Sequence, residues 1–564
     1  MKRLITFLII IILGSTASAA VNMKNGSYTD RWIDLIAPGS GYDFRIERHY
    51  SSRSLFIGLF GFGWCSQLET KLEVQSDGSL ILSECGGGIE VSYYPTQFDK
   101  KSVNQTIDQI IQYLKKGNKD LSKSYLRKLR TQLVSDHRQR FLLATQFHLV
   151  DFKKAKANNS EYVSRALGVE KIRLSNKTFT RQRNDGVVET FDLDGQLTKV
   201  TDRMGQWIKL QYKGSLLSII VDNKGRKLNF LYSKQGKLSQ ITDGKGLSVT
   251  YQFTGENLTS VTNAWKNTYI YKYDKNHNLE MVTFPDKSFM KMSYDVQRDW
   301  IKSYTDRTNC TERYDFILSR DDPKNHYWST LDKSCKEVQT VKAKFEFWYK
   351  AFSHAREKYL NRLLEVVDTH FKDIYFHPYL GKQVSVREDN VYQGFAYLTN
   401  GLINETEVKK YSGKNELTDW KKIEYKYKLP NTAIVESVAN VLNPKTNKVL
   451  LTTKTKFTYN NRNLLSRATQ ANGVFVDVKY NSKGQISVLS DHKNIKISLG
   501  YDNVNSMPTI ISQPGLGEAK IVYNDRGEVI DIRSNKGRNI ASSVVQTFLS
   551  FVDIIGPGAS LTKF

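Results

Sequence analysis

The sequence predicts a mainly β protein: an antiparallel sheet of short repeated hairpins, with an inserted α-helical hairpin and a short C-terminal helix. Three observations carry this prediction. Aromatic residues recur in steps of 20 or 21 from Phe191 to Tyr294, and leucine and glycine keep the same phase. Tyr is abundant (31) and Pro is scarce (10), which favours strands joined by polar turns.

One repeat unit runs from Tyr232 to Gly246. Its aromatic residue enters a strand, a glycine makes a tight turn, and Leu and Ile alternate with polar residues on the return strand. A single two-stranded unit cannot bury its apolar face, whereas stacked units can. The phase returns from Tyr459 to Tyr523, so both halves of the chain are predicted to form sheet. The residues assigned to the repeat core are Tyr212, Leu217, Tyr232, Leu238, Tyr273, Leu279 and Tyr480.

The N-terminus has the pattern of a secretory signal peptide. Lys2 and Arg3 precede the apolar stretch Leu4–Leu13, and Ala17-Ser18-Ala19 forms a small-residue cleavage box. We therefore expect an exported protein, in the periplasm, on the outer cell surface or secreted. No later stretch reaches the length of about 20 apolar residues that a transmembrane helix needs.

Export makes disulfides possible for the four cysteines. They form two local pairs, Cys65/Cys85 and Cys310/Cys335. A hairpin centred on the Asp322-Pro323 turn places residue 310 opposite residue 335, which predicts a cross-strand disulfide. The first pair flanks a turn but is off-register for direct opposition, and buried free thiols are the alternative for both pairs.

Three N-terminal segments add a resemblance to a known family. Val21-Asn22 leads to Asn25-Gly26, Arg48-His49-Tyr50-Ser51-Ser52 follows, and then comes Gly58-Leu59-Phe60-Gly61-Phe62-Gly63-Trp64. With the repeats, this order resembles the bacterial Rhs/YD-repeat family and its N-terminal head segment. The resemblance implies a sheet wound into a spiral or partial shell. In polymorphic toxins of this family such a shell encloses a C-terminal toxin, and teneurins use similar repeats in adhesion receptors.

The predicted order of segments follows from these signals. It is a signal peptide (1–19), a β head segment (20–99), a helical insertion (100–155), a repeat sheet (156–316), elongated degenerate repeats with the disulfide hairpin (317–395), a second repeat sheet (396–540) and a C-terminal apolar helix and tail (541–564).

The helical insertion starts with a capping box, Ser102-x-x-Gln105, and continues as two apolar stripes separated by Gly117-Asn118. A set of cations on it is a candidate anion- or partner-binding face, and the alternative is a solvated face opposite the apolar stripe. These cations are Lys115, Lys116, Lys119, Lys123, Arg127, Lys128 and Arg130. Residues Ala541 to Ile555 have apolar positions at helical spacing and predict a helix that caps or plugs the sheet, with membrane or partner contact as the alternative.

Signatures of catalysis are absent from the sequence. His354, His370 and His377 would need to converge with Glu388 or Asp389 to bind a metal ion, and Asp321/Asp322 fit turn residues better than an acid–base pair. We therefore expect no enzyme activity, no metal and no cofactor. An exposed row of tryptophans with Lys and Arg between them could stack on sugars, although packing within the sheet is the alternative. Its candidate members are Trp64, Trp207, Trp265, Trp300 and Trp348.

The formal net charge of +26 attracts anionic partners without selecting one. The sequence thus predicts a non-catalytic exported scaffold or binding protein at the bacterial envelope or outside the cell. Its expected partners are anionic or neutral glycans or other surface components, and no nucleic-acid function is expected. One alternative is a truncated toxin-delivery shell that encloses a peptide, such as the segment 541–555. A second is an enzyme that acts on polysaccharide.

Overall fold

The computed structural model describes most of the chain after the N-terminal segment. The described residues are 20–37, 42–85, 89–149, 160–164, 170–183, 187–202, 205–335, 338–351, 358–378, 380–398, 401–428, 433–461, 464–482, 485–501, 508–523 and 529–556. The predicted signal peptide and His354 lie outside them.

The chain begins with a head segment of six short strands. Four of them pair antiparallel in the order β1-β2-β3-β6, and β4 and β5 form a separate small hairpin. A 3₁₀ turn, Gln67–Glu69, follows β6. The strands are β1 (Ala20–Asn22), β2 (Ser27–Ala37), β3 (Phe44–Ser51), β4 (Ile57–Gly58), β5 (Gly61–Phe62) and β6 (Trp64–Cys65).

Within residues 100–149, the described part of the insertion, the structure has three helices rather than the predicted hairpin of two. They are α1 (Lys100–Gly117), α2 (Lys123–Ser135) and α3 (His137–Gln146). The prediction missed α3 because its apolar residues are consecutive, so they show no helical spacing. Arg140 on α3 is buried and pairs with Asp77 (Nε to Oδ2, 3.0 Å), which anchors the insertion to a turn of the sheet.

The remaining strands form one large antiparallel sheet in which each strand pairs with the next along the chain. The first part comprises β7 (Lys71–Val74), β8 (Leu80–Glu84), β9 (Ile89–Pro95), β10 (Ser160–Val163), β11 (Lys171–Ser175), β12 (Thr178–Gln182), β13 (Val188–Phe191), β14 (Leu197–Thr201), β15 (Trp207–Lys213), β16 (Leu216–Asp222), β17 (Lys227–Tyr232), β18 (Leu238–Thr242), β19 (Ser248–Thr254), β20 (Asn257–Thr262), β21 (Thr268–Tyr273), β22 (Leu279–Thr283), β23 (Phe289–Tyr294) and β24 (Ile301–Thr305).

The second part has longer strands in its middle and ends in a helix, α4 (Arg538–Ile555). Its strands are β25 (Thr311–Leu318), β26 (His326–Cys335), β27 (Val338–Ala351), β28 (Lys358–Val367), β29 (His370–Phe376), β30 (Gln383–Glu388), β31 (Val391–Tyr397), β32 (Ile403–Tyr411), β33 (Leu417–Lys428), β34 (Ala433–Leu442), β35 (Val449–Tyr459), β36 (Leu465–Gln470), β37 (Phe475–Tyr480), β38 (Ile486–Asp491), β39 (Lys496–Tyr501), β40 (Pro508–Gln513), β41 (Gly517–Tyr523) and β42 (Val529–Arg533).

The predicted mainly β fold is therefore confirmed, and the sheet also curls back on itself near its start. The Leu72 amide donates to the Gly195 carbonyl (2.9 Å), and Lys71 forms an isolated bridge with Gln196. We call the side of the sheet that packs on the head segment and α4 the covered face, and the opposite side the open face. Leu210, Ile220 and Leu228 are buried on the covered face, where the repeat leucines also point.

The repeat tyrosines have a structural role that the period alone does not reveal. Each shifts the strand register by a bulge. Tyr459 donates its hydroxyl to the Ile434 carbonyl, 25 residues earlier. The others donate to a carbonyl 15 residues earlier, as Tyr232 does to Leu217 (2.7 Å). The same bond joins Tyr212 to Leu197, Tyr273 to Leu258, Tyr294 to Leu279, Tyr480 to Leu465, Tyr501 to Ile486 and Tyr523 to Pro508. The tyrosine rings are half-buried while the leucines Leu217, Leu238 and Leu279 are buried. Each hydroxyl thus ties one repeat to the preceding one.

We expect Tyr232→Phe to destabilise the repeat sheet by about 1 kcal/mol, because one hydroxyl bond to a carbonyl is lost and the ring packing stays. Urea unfolding followed by circular dichroism measures this change. Tyr125→Phe is the matched control, since Tyr125 lies on α2 and is 49% exposed. An equal effect of both substitutions would contradict the assigned role of the hydroxyl.

Both predicted disulfides are present. Thr311 pairs with Ser334 in the β25–β26 hairpin, so residue 310 lies opposite residue 335, and Cys310 and Cys335 are bonded as the turn position predicted. Cys65 and Cys85 are also bonded, which links the end of the head segment to the second strand of the large sheet.

Candidate functional site

Two hydrophobic clusters occupy the covered face, one near each end of the large sheet. The first joins the head segment to the repeats and reaches Leu331. The second joins α4 to the C-terminal repeats and starts at Ile434. Among the described residues, none from 332 to 433 belongs to either cluster. The strands between them therefore add no side chain to either cluster, although Phe347, Ile374 and Val386 on their covered face are buried.

The head segment is held by an ion pair in the centre of the first cluster. Arg48 and Asp34 are both buried and make two hydrogen bonds, Nε to Oδ2 at 2.6 Å and Nη2 to Oδ1 at 2.9 Å. The Tyr251 hydroxyl donates to Asp34 (2.9 Å), and Arg48 donates to the Tyr271 hydroxyl (3.0 Å). Burial opposes the charge on Arg48, but the Asp34 carboxylate outweighs it and holds the pKa of the guanidinium above its usual value.

Helix α4 confirms the predicted docking helix. Its apolar side packs on the covered face of the C-terminal repeats, and Val544 and Ile555 are fully buried there. Near its C-terminal end, burial raises the pKa of Asp553, and Lys421 of β33 acts against that shift. The end of α4 therefore lies beside β33.

We call strands β28 to β33 the central strands. The strand register extends one row of covered-face residues from Tyr327 across these strands. The Tyr327 hydroxyl donates to the Lys24 carbonyl of the head segment (2.5 Å). Cross-strand neighbours in this row are Tyr327, Phe347, Leu363, Ile374, Val386, Gln393, Val408 and Lys421. The row is thus apolar for most of its length and reaches Lys421 near α4.

A second row of the covered face is charged. Glu365 pairs with Lys372, and Lys372 pairs with Glu388. Lys372 Nζ lies 3.7 Å from Glu388 Oε2. Burial raises the pKa of Glu365, and the Lys372 charge partly offsets this effect. The covered face of the central strands therefore carries an apolar row, in which Ile374 and Val386 are buried, beside a row of charges of both signs.

The open face of strands β26 to β28 carries aromatic and cationic residues, but they cover one another. Trp348 has the His326 ring stacked on one side, at 4.9 Å between centroids, and Arg362 on the other, at 4.6 Å from its ring. Arg362 is also held by two bonds to Asp373. Stacking on a sugar needs a free ring face, so this ring pair ties neighbouring strands together rather than forming the predicted sugar-binding row.

The other tryptophans of the predicted row lie in separate surroundings. Trp64 is fully buried in the head segment, and Trp207 is flanked by Lys199 (5.2 Å) and Lys209 (5.1 Å). Trp300 packs on Phe316, with ring centroids 5.1 Å apart. They do not form one continuous surface.

The predicted basic face lies on the helical insertion. Lys115 and Lys116 end α1, Lys119 follows it, and Lys123 begins α2. All four side chains are exposed, as are those of Arg127 and Lys128, which border a shallow concavity on α2. Arg130 is engaged with Asp108 of α1 and is partly buried. Six of the seven predicted cations are therefore free to meet an anion in solution.

The residues considered for catalysis or metal binding do not assemble. His370 Nδ1 lies 2.7 Å from Asp389 Oδ2, whereas the His377 ring accepts from the Leu380 amide. Asp322 caps its own turn by accepting from Asn325. Within the described ranges, no group of three or more His, Cys, Asp or Glu side chains could hold a metal ion. Within the same ranges, no helix combines the length and apolarity needed to cross a membrane.

Comparison with known families identifies the architecture. The model of a family described as teneurin YD-shell matches residues 185–539, more than half of the chain. The chain belongs to this YD-shell family. A domain of unknown function, DUF6531, matches residues 18–90, which include the head segment.

Solved structures of low similarity include toxin complexes. The Photorhabdus luminescens Tc holotoxin pore is 9% identical, with a TM-score of 0.37 over 90% of this chain and 29% of that chain. The TcdB2-TccC3-TEV structure is 11% identical, with a TM-score of 0.29 over 97% of this chain and 29% of that chain. This YD-shell chain thus spans less than a third of their length. A search of curated proteins gave no match.

Sequence reasoning missed the gap between the two clusters at the central strands. Its signal is the irregular spacing of residues 300–395, where the strands become longer and the repeat phase is lost. The loss of the repeat phase marks the part of the sheet whose covered face joins neither cluster. Only the structure shows which segments pack beside that part.

Proposed function

We propose that the protein is a non-catalytic exported scaffold that holds a polypeptide on the covered face of its central strands. One observation carries the proposal: the head segment and α4 form clusters with the covered face on both sides of the central strands, and no described residue from 332 to 433 joins either cluster. Helix α4 is an example of a polypeptide bound on this face. The YD-shell family supports an enclosing role, and the signal-like residues 1–19 support export.

Photo-crosslinking from adjacent positions on opposite faces tests this function. Val391 lies on the covered face, where it pairs with Lys410, and Tyr392 lies on the open face next to Lys409. A benzoylphenylalanine at position 391 is expected to form an adduct with a polypeptide in the expressing bacterium. The same group at position 392 is the matched control. Equal adducts from both positions, or none from position 391, would contradict the proposal.

A second candidate function is the binding of an anionic glycan or another anionic envelope component. The exposed cations of α1 and α2 favour it, because opposite charge concentrates such ligands at a surface. The insertion packs in its own small hydrophobic cluster, so its basic side stays outside the covered face. This candidate uses a different surface from the polypeptide-holding role.

We expect Lys123→Glu/Arg127→Glu/Lys128→Glu to elute from a heparin column at clearly lower salt than the parent protein. The matched control reverses three exposed turn lysines of the repeats, Lys245, Lys266 and Lys287, with the same change in net charge. Equal shifts in the eluting salt concentration for both variants would show that binding depends only on total charge, an interaction that salt screens over about 8–10 Å. That result would contradict this candidate function.

A further inference from the structure

A cavity of about 620 Å³ lies between the head segment and the first repeats, away from the central strands. The volume falls in the range of small-molecule sites, which is about 300–1,000 Å³. Its walls come from the Phe56–Leu59 loop, the residues around the 3₁₀ turn, and strands β14 to β18. No proposed role of the covered face or of the basic insertion uses this cavity.

About half of the residues that line the cavity are apolar or aromatic. Leu197, Leu217 and Leu238 line it, with the rings of Tyr212 and Tyr232. Both tyrosine hydroxyls are already committed to repeat carbonyls, so the rings offer their surfaces rather than their hydroxyls.

Two exposed apolar side chains line the cavity, together with the exposed Lys71. Ile57 is 50% exposed and Leu216 is 40% exposed, and both line the cavity. Leu55, next to the loop, is 84% exposed. Apolar residues clustered around a cavity mouth are typical of a binding site.

Glu69 is one of three carboxylates among the described residues that line the cavity. It closes a capping box: one oxygen accepts from the Ser66 amide (2.9 Å), and the other accepts from the Leu59 amide. Among the described residues, no cation forms an ion pair with it. Burial raises the pKa of Glu69 to about 7, and the two amide bonds only partly counter that effect. Ionised Glu69 is therefore a desolvated negative charge without a counter-ion.

We propose that this cavity binds a small organic cation that carries an ammonium group on an aromatic or alkyl body. The ammonium would neutralise Glu69, the leucines would bury the body, and the tyrosine rings would attract the charge through their faces. The other charged groups of the lining are Lys71, Glu73, Glu90 and Lys237. Lys237 is engaged by Glu256, so the lining retains an acidic balance that favours a cation.

Phenethylamine is the test probe, and 2-phenylethanol and 3-phenylpropionate are neutral and anionic probes of similar size. Calorimetry or ligand-observed NMR at pH 8 is expected to show saturable binding of phenethylamine, with weaker binding of the other two. Equal binding of the amine and the alcohol at pH 8, or no saturable binding of the amine, would overturn the proposal.

The pH dependence gives a second readout. The carboxylate binds the cation only when ionised, so affinity for phenethylamine should fall as the pH drops through about 7. Between pH 8 and pH 6 the ionised fraction of such a group falls about tenfold, and so should the association constant. Affinity that does not change over this range would overturn the role given to Glu69.

Two substitutions separate binding from folding. Leu216→Arg places a cation at the exposed lip and is expected to weaken phenethylamine binding at least tenfold. Leu231→Arg is the matched control, because Leu231 is 45% exposed on the next strand and does not line the cavity. Glu69→Gln should abolish the preference for the amine over the alcohol, and the Leu216 variant keeps the test valid if Glu69→Gln does not fold. Equal weakening by both arginine substitutions would overturn the proposal.

Discussion

Arg48→Met is expected to destabilise the N-terminal half of the sheet by about 3–5 kcal/mol, because it leaves the Asp34 carboxylate buried without its partner. The loss extends beyond the ion pair. Arg48 also bonds the Tyr271 hydroxyl and lies over the Trp64 ring, 4.5 Å from its centroid. Its removal therefore loosens the contact of the head segment with Tyr271 of β21 and, through Asp34, with Tyr251 of β19.

Urea unfolding monitored by tryptophan fluorescence measures the effect, since Trp64 lies inside the affected cluster. Arg45→Met is the matched control: Arg45 is on the same strand and pairs with Glu47, but its side chain is 33% exposed. Such a pair is worth about 1 kcal/mol or less. Adding Asp34→Asn to Arg48→Met should recover part of the loss by removing the unpaired charge. Equal stability of Arg48→Met and Arg45→Met would contradict the central role of Arg48.

The repeat sheet could be predicted because its signal is local and recurs. The glycine and aspartate turns, the leucines and the tyrosines of each unit lie within about 20 residues, so their period is visible in the chain itself. The Cys310–Cys335 hairpin was predictable for the same reason. A single turn at Asp322-Pro323 fixes the register, and the two cysteines are then equidistant from it.

The role of Arg48 could not be predicted, because its partners are distant in the chain. Its segment contributed to the family resemblance, but an arginine in such a segment gives no sign that it will be buried. Asp34 is 14 residues away, and Tyr271 is 223 residues away. Likewise, the buried partner of Arg140 is Asp77, which lies 63 residues earlier in the chain.

The basic residues could be placed on exposed helices from the sequence, whereas the gap between the two clusters and the Glu69 cavity could not be found. Both depend on which segment packs on which part of one long sheet. The apolar pattern of Val391 or Val408 is the same whether the strand is covered by α4 or by nothing. The aromatic row failed as a sugar site for a related reason. The sequence gives the residue types, but the strand register decides whether a ring such as Trp348 keeps a free face.

Val544→Asp is expected to release α4 from the C-terminal repeats. Val544 is fully buried against this part of the sheet. The substitution removes its apolar contact and places a carboxylate in the core, a combined cost of about 4 kcal/mol or more. Because α4 and the head segment belong to separate clusters, strands β36 to β42 should lose protection while the N-terminal repeats keep theirs.

Hydrogen exchange followed by mass spectrometry measures this difference by segment. Ser543→Asp is the matched control, because the neighbouring Ser543 side chain is exposed and the same charge is added to the same turn of the helix. The released covered face would then be continuous with that of the central strands, so the variant should also crosslink more strongly from position 391 if that surface holds polypeptides. Faster exchange spread evenly over the whole sheet would instead mean that α4 supports the entire shell, and it would contradict a helix that only fills one end.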